Sequence, residues 1–173
     1  GKSRSRRVGM MTTLRLTPFG PGGRVASNSR RDSKATPFCT GLDDPKGLVA
    51  FQQFLFVTDK DRVLRIDRNG KATVLAAAKA FPAPPKFLND IEVDIESGLL
   101  YVSDSGDLEG KDGAIYRITQ RGQVSLVLDG KSPVIKGPNG LRMDGQNHLL
   151  HLDLVSGELH HVRLVDRMTE KIA

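Results

Sequence analysis

One pattern recurs three times between Asp44 and the C-terminus, and a chain that repeats at this spacing has few folds open to it. Pro45-Lys46-Gly47-Leu48-Val49, Leu88-Asn89-Asp90-Ile91-Glu92 and Pro138-Asn139-Gly140-Leu141-Arg142 fall in one column. Each is followed by a strand that closes on Asp: Phe56-Val57-Thr58-Asp59, Tyr101-Val102-Ser103-Asp104 and Leu150-His151-Leu152-Asp153. A further strand comes next, at Arg62 to Ile66, Gly113 to Ile118 and Glu158 to Val162. The interval is 43 residues from Leu48 to Ile91 and 50 from Ile91 to Leu141. Four short strands within ~40 to 50 residues form a sheet that cannot bury both faces alone and must stack on copies of itself, as propeller blades do. The expected fold is all-β: a β-propeller of about three four-stranded antiparallel blades, over about 42–78, 88–130 and 138–173.

The punctuation agrees with this layout. Asp67-Arg68-Asn69-Gly70 reads as a hairpin of the Asn-Gly kind, and Glu96-Ser97-Gly98 and Gln120-Arg121-Gly122 read as turns. Phe81-Pro82-Ala83-Pro84-Pro85 cannot donate to a ladder, so it must be an extended connector between the first two blades. At most one helical turn fits, around Ala76 to Ala80. Three blades amount to about half of a six-bladed ring. Such a piece shows apolar blade faces and open strand edges, so a homodimer through those faces is expected.

The formal net charge of +6 is unevenly placed. Residues 1–36 hold nine Lys or Arg and one acid, Asp32, whereas the remainder holds 17 bases and 19 acids. The basic stretch is rich in Gly, Ser and Pro and reads as a disordered leader ahead of the propeller domain at 37–173. Phe19 is its only aromatic residue, so nucleic acid is not the expected partner. No apolar run approaches the ~20 residues of a membrane span. The single Cys39 rules out an internal disulfide framework and leaves the compartment open.

In a propeller the innermost strand of each blade lines the central axis, and residues of one repeat column meet at one end of it. Lys46, Asn89 and Asn139 are therefore expected together at the channel mouth. Phe87-Leu88-Asn89-Asp90 with Val93-Asp94, Pro138-Asn139-Gly140-Leu141 one blade later, and the insertion Ser105 to Asp112 resemble the regucalcin and gluconolactonase family of six-bladed propellers. The resemblance covers residues 42–173. It implies a hydrolase of sugar lactones and related esters, with a small-molecule lactone or sugar acid as ligand. It also implies a divalent cation, Ca2+ first and Zn2+, Mg2+ or Mn2+ as alternatives, held by Asn139 with Asn89 close by and Asp44 as the nearest acid in register. Asp107, Glu109 and Lys46 are the expected substrate contacts. The family's catalytic Asp belongs to a later blade than these three, and Lys46 stands in the ligand column itself. Weak activity or none is therefore expected, and a non-catalytic binding segment of the NHL type is the other reading.

The chemistry explains the residue types. Hard divalent ions favour carboxylate and amide oxygens, and an open coordination position lets such an ion polarise a carbonyl and activate water. The same residues also have plain structural uses. Asn-Asp and Asn-Gly are turn formers. Asp59, Asp104 and Asp153, repeated in every blade, are expected to cap turns. The alternation of His148, His151, His160 and His161 suits an outer sheet surface, and no further Cys or His completes a zinc set.

Overall fold

The computed structural model describes residues 13–17, 23–28 and 35–173. Among the described residues, apart from one 3-10 turn at Ala78–Ala80, the regular structure is all strand. The first four-stranded antiparallel sheet consists of β4 (Pro45–Phe51), β5 (Phe54–Asp59), β6 (Arg62–Ile66) and β7 (Ala72–Ala76). The second consists of β8 (Leu88–Val93), β9 (Leu100–Asp104), β10 (Ala114–Ile118) and β11 (Val124–Asp129). The third consists of β12 (Pro138–Met143), β13 (His148–Asp153), β14 (Leu159–Arg163) and β15 (Met168–Lys171). In each sheet neighbouring strands are consecutive in sequence, the meander of a propeller blade.

A sheet of three strands precedes them: β1 (Thr13–Thr17), β2 (Gly23–Asn28) and β3 (Ala35–Leu42). The leader expected over 1–36 lies in large part outside the described residues. Within it 13–17 and 23–28 are strands paired to one another, and the second also pairs with β3. Glycine contacts identify what β3 is. Gly70, at the tip of the β6–β7 hairpin with φ of 79°, sits so close to the Phe38 carbonyl that a Cβ there would lie 2.0 Å from the oxygen. Gly122, at the β10–β11 tip with φ of 80°, stands against the Leu75 carbonyl of β7 at the same 2.0 Å. The third hairpin carries Arg167 at this position, with φ of 62°, and its guanidinium reaches the Leu126 carbonyl of β11. Each tip thus leans on the outermost strand of the blade before it. By that rule β3 is the outer strand of a preceding blade. A positive φ and no room for a Cβ together call for glycine at the two tightest tips.

The core lies between blades. Every residue of β9 and all of β5 after Phe54 are buried, as sheets covered on both faces require. Phe56, Val63, Leu88, Val102 and Ile118 fill the seam between blades one and two. Tyr101, Ile115, Leu141, Leu149 and Val162 fill the seam between two and three. Cys39 and Leu42 of β3 pack with Leu55, Val57 and Leu64 on the remaining face of blade one. That face, expected to be bare, is covered.

Two histidines depart from the sequence expectation of an outer surface. His151 and His160 are fully buried and stack at 5.0 Å between ring centroids. They are direct partners in the β13–β14 ladder and share their face with Leu149 and Val162, which look toward blade two. Their neighbours His148 and His161 stack on the opposite, outward face, as expected. Alternation gave the two faces correctly, but in a blade both faces can be interior.

Candidate functional site at the channel mouth

The three motif columns interrupt their ladders at the same place. β4 pairs with β5 at Pro45 and again at Leu48, β8 with β9 at Leu88 and Ile91, and β12 with β13 at Pro138 and Leu141, with a register shift inside each pair. The skipped residues are Lys46-Gly47, Asn89-Asp90 and Asn139-Gly140. A bulge frees backbone groups that need other partners. Hydroxyls of the second strand supply them. Thr58 Oγ1 accepts from Gly47 N at 2.7 Å and donates to Asn89 O, on the next blade, at 2.5 Å. Ser103 Oγ accepts from Asp90 N at 2.9 Å and donates to Asn139 O at 2.7 Å. Gly47 lies so near the next inner strand that a Cβ would stand 2.7 Å from Asn89 O. Lys46, Asn89 and Asn139 are thereby set side by side on adjacent inner strands, as the repeat predicts.

Carboxylates complete the scaffold. Asp59 Oδ1 accepts from Asp43 N and Asp44 N, both at 2.8 Å. Asp104 accepts from Lys86 N, Phe87 N and Gly106 N, and Asp153 from Lys136 N and Gly137 N. The residue after each Asp donates its own N–H to the connector, at Asp44 O, Phe87 O and Gly137 O. These buried aspartates tie down the segment that leads into each inner strand, as their repetition suggested. Burial pushes the Asp153 carboxyl upward, but hydrogen bonds from Ser156, Lys136 and Gly137 outweigh it and hold the group below the usual carboxylate range.

The expected site residues differ in how free they are. Asn89 gives its amide N–H to Ser105 Oγ at 3.1 Å, and that hydroxyl donates to Pro138 O at 2.8 Å. Asn139 is half-buried, and among the described residues its side-chain amide takes no hydrogen bond. Asp44 is in contact with the Lys46 ammonium, which lies 4.4 Å from the centroid of the Phe87 ring. Asp107, half-buried, and Glu109, exposed, stand on the 105–112 loop. The Glu109 N–H bonds to Asp107 Oδ1 and holds that carboxyl below its usual range, while Glu109 pairs with Lys111. Nothing in the described contacts brings these two acids to the asparagines.

Three elements of the site went unread in the sequence. Thr58 and Ser103 form a hydroxyl column just ahead of the repeated Asp, a signal present in the alignment. Ser105 opens the loop with no such signal. Asp90 is the third: its Oδ2 accepts from Leu141 N, 2.8 Å away on blade three, and its Oδ1 from Ile91 N at 2.9 Å. Burial raises its affinity for a proton, against the pull of those two N–H groups. Asp90 is a clip between inner strands, with both oxygens in use.

Two clefts are lined by none of Lys46, Asn89 and Asn139. The larger, about 720 Å³, is on the rim of blade two between Pro82, Pro85, Lys111, Tyr116 and Lys131, with the Lys86–Asp112 ion pair in its wall. The smaller, about 460 Å³, lies at the other end of the inner strands among Ala50, Val93 and Met143. Its wall carries the Glu92–Arg142 pair at 3.1 Å.

No protein-family model matches the sequence, and no curated protein matches it. Solved structures do. An X-ray structure described as a candidate gluconolactonase aligns over 94% of this chain and 67% of its own, with a TM-score of 0.66 and 18% identity. A virginiamycin B lyase from Staphylococcus aureus, in complex with quinupristin, aligns over 96% of this chain with a TM-score of 0.66 and 14% identity. A nidogen/laminin complex gives a TM-score of 0.54 over 94% of the chain at 12% identity. At such identities the likeness is one of fold. The chain spans about half the length of the lyase structures it matches. Among the described residues no helix is long and apolar enough to cross a membrane.

Proposed function

We propose that this chain supplies the ligand-binding channel face of a gluconolactonase-like propeller, taking a sugar lactone or sugar acid with weak hydrolysis or none. The observation that carries the reading is the Lys46, Asn89 and Asn139 column, lifted out of the ladder by three matched bulges and held there by Thr58 and Ser103. An amide offers both a donor and an acceptor, which suits ring hydroxyls and a lactone carbonyl. In this reading Asn139 binds directly and Asn89 is oriented by Ser105, while Asp107 and Glu109 contact only a ligand long enough to extend to the loop.

General-base catalysis needs a carboxylate within reach of water and free to take its proton. Each Asp90 oxygen already accepts a backbone N–H that ties the inner strands together, and Asp44 is engaged by an ammonium. This favours binding over turnover, and with it the non-catalytic reading. The divalent cation implied by the resemblance fares no better. Two neutral amides and one carboxylate already neutralised by Lys46 make a poor donor set for a hard dication, which draws its affinity from ligand charge.

Nuclear magnetic resonance titration with a sugar-acid γ-lactone and its open-chain acid tests the proposal. Saturable shifts that disappear in Asn139→Ala, with the far-ultraviolet spectrum unchanged, are the expected result. Robust lactone turnover, or binding indifferent to Asn139, would overturn it.

A further inference from the structure

We infer that Lys46 is a built-in cation that takes the place of a divalent ion at the channel mouth, making ligand capture there independent of metal. The inference rests on the reading of this mouth as the ligand site, but its test does not use that ligand. Lys46 occupies the column shared with Asn89 and Asn139, at the bulge of β4. Its side chain is only 13% exposed, so the charge is held in place and does not sweep through solvent. One face of the ammonium meets the Asp44 carboxylate, and another meets the Phe87 ring at 4.4 Å, two residues ahead of Asn89. The ring's negative face and the carboxylate are both cation-seeking groups, and the chain satisfies them with its own cation.

Three consequences follow for a dication. It would have to displace the ammonium from Asp44, the nearest acid in register, and so forfeit an ion pair and a cation–π contact together. If the ammonium stayed, a fixed positive charge would stand within a few ångströms of the ion, where Coulomb repulsion is weakly screened. Without Asp44 the column offers the neutral amides of Asn89 and Asn139, since the Asp90 carboxylate is turned to the Ile91 and Leu141 N–H groups. A ligand with hydroxyl or carboxylate oxygens meets the opposite situation, because an ammonium offers N–H donors where a metal would offer empty orbitals.

The experiment measures binding of Mn2+, by electron paramagnetic resonance, and of Ca2+, by calorimetry, to the full chain and its Lys46 variants. The chain itself should bind neither ion appreciably at millimolar concentration. Lys46→Met, which keeps the stem and removes the charge, should gain a site at least tenfold tighter. That site should vanish again when Asp44→Asn or Asn139→Ala is added. Lys46→Arg keeps the charge and should stay without metal. Lys46→Gln is a second neutral variant should Lys46→Met fail to fold. Tight metal binding by the unaltered chain would overturn the inference, as would neutral variants that fold and gain no site.

Discussion

The seam between blades two and three and the outward face of blade three are built from the same strands, yet one is clipped and the other is not. Across the seam Ser103 reaches Asn139 O, Ser105 reaches Pro138 O, and Asp90 reaches Leu141 N. On the outward face the position of Thr58 and Ser103 is taken by Leu152, which is 50% exposed. A Cβ added to Gly140 would meet only the Leu152 side chain, at 3.7 Å, whereas its counterpart Gly47 is pressed against the next inner strand. The seam also buries one histidine pair while the outward face displays the other. The difference teaches that apolar area alone does not set how blades stack. Side-chain hydrogen bonds at the bulges fix the register, and those same bulges present the asparagines.

The largest expected effect follows from removing a buried carboxylate of the seam. Asp104→Ala strands the N–H groups of Lys86, Phe87 and Gly106. Losing one partner of a buried charged network costs about 3 to 5 kcal/mol. Urea unfolding should show a loss of that size, and one below about 1 kcal/mol would mean that the connector is held by packing instead.

Acid should separate the two histidine pairs. Burial, aided by the neighbouring His160 and opposed by Asp153, lowers the His151 pKa from 6.5 to about 4. A base whose folded pKa is depressed favours the folded state when neutral. Its contribution is complete above pH 6.5 and is lost as the pH falls toward 4, by roughly 3 kcal/mol in all. The other ionisable groups near the pair are Glu158, 3.2 Å from His160 Nε2, and Lys171, opposite His160 in the ladder. His151→Phe should flatten the stability profile over this window, and His148→Phe on the outward face should leave it unchanged. Equal profiles for both variants would remove the distinction.

A smaller effect concerns the hydroxyl clip. Ser103→Ala should cost about 1 to 3 kcal/mol, because it leaves Asp90 N and Asn139 O without their partner. Leu152→Ser, at the matching place on blade three, should change stability by less than about 0.5 kcal/mol. The smallest thermodynamic change should accompany Leu152→Lys, yet it should alter self-association. Leu152, Leu154 and Met168 are exposed on blade three, and apolar patches of this kind drive association. Light scattering at micromolar concentration should show association in the unaltered chain and less of it in the variant. A monomer in both cases would remove this face as a contact between copies.

The blades were legible because strand burial writes itself into a period. Thr58-Asp59, Ser103-Asp104 and Leu152-Asp153 mark the same strand end three times, and the capping role of the aspartates could be argued from repetition alone. The alignment of Lys46, Asn89 and Asn139, which the structure places at three matched bulges, was legible for the same reason. Asp90 was not, because its partner Leu141 N lies 51 residues away and comes within reach only when the inner strands stand side by side. The burial of His151 and His160 was hidden too, since alternation gives the two faces of a sheet without saying which of them another sheet will cover.

By itself, then, the sequence determined the strand count of residues 42–173, their grouping by fours, the turns between them and the alignment of Lys46 with Asn89 and Asn139. These are matters of local propensity and period, decided within a few residues or by comparing one repeat with the next. Tertiary structure alone decided that Lys46 spends its charge on Asp44 and Phe87, that Ser105 orients Asn89, and that β3 covers the first blade. Each of these depends on groups from different repeats meeting at distances of a few ångströms, where burial makes the choice of polar partner decisive and no one-dimensional pattern records it.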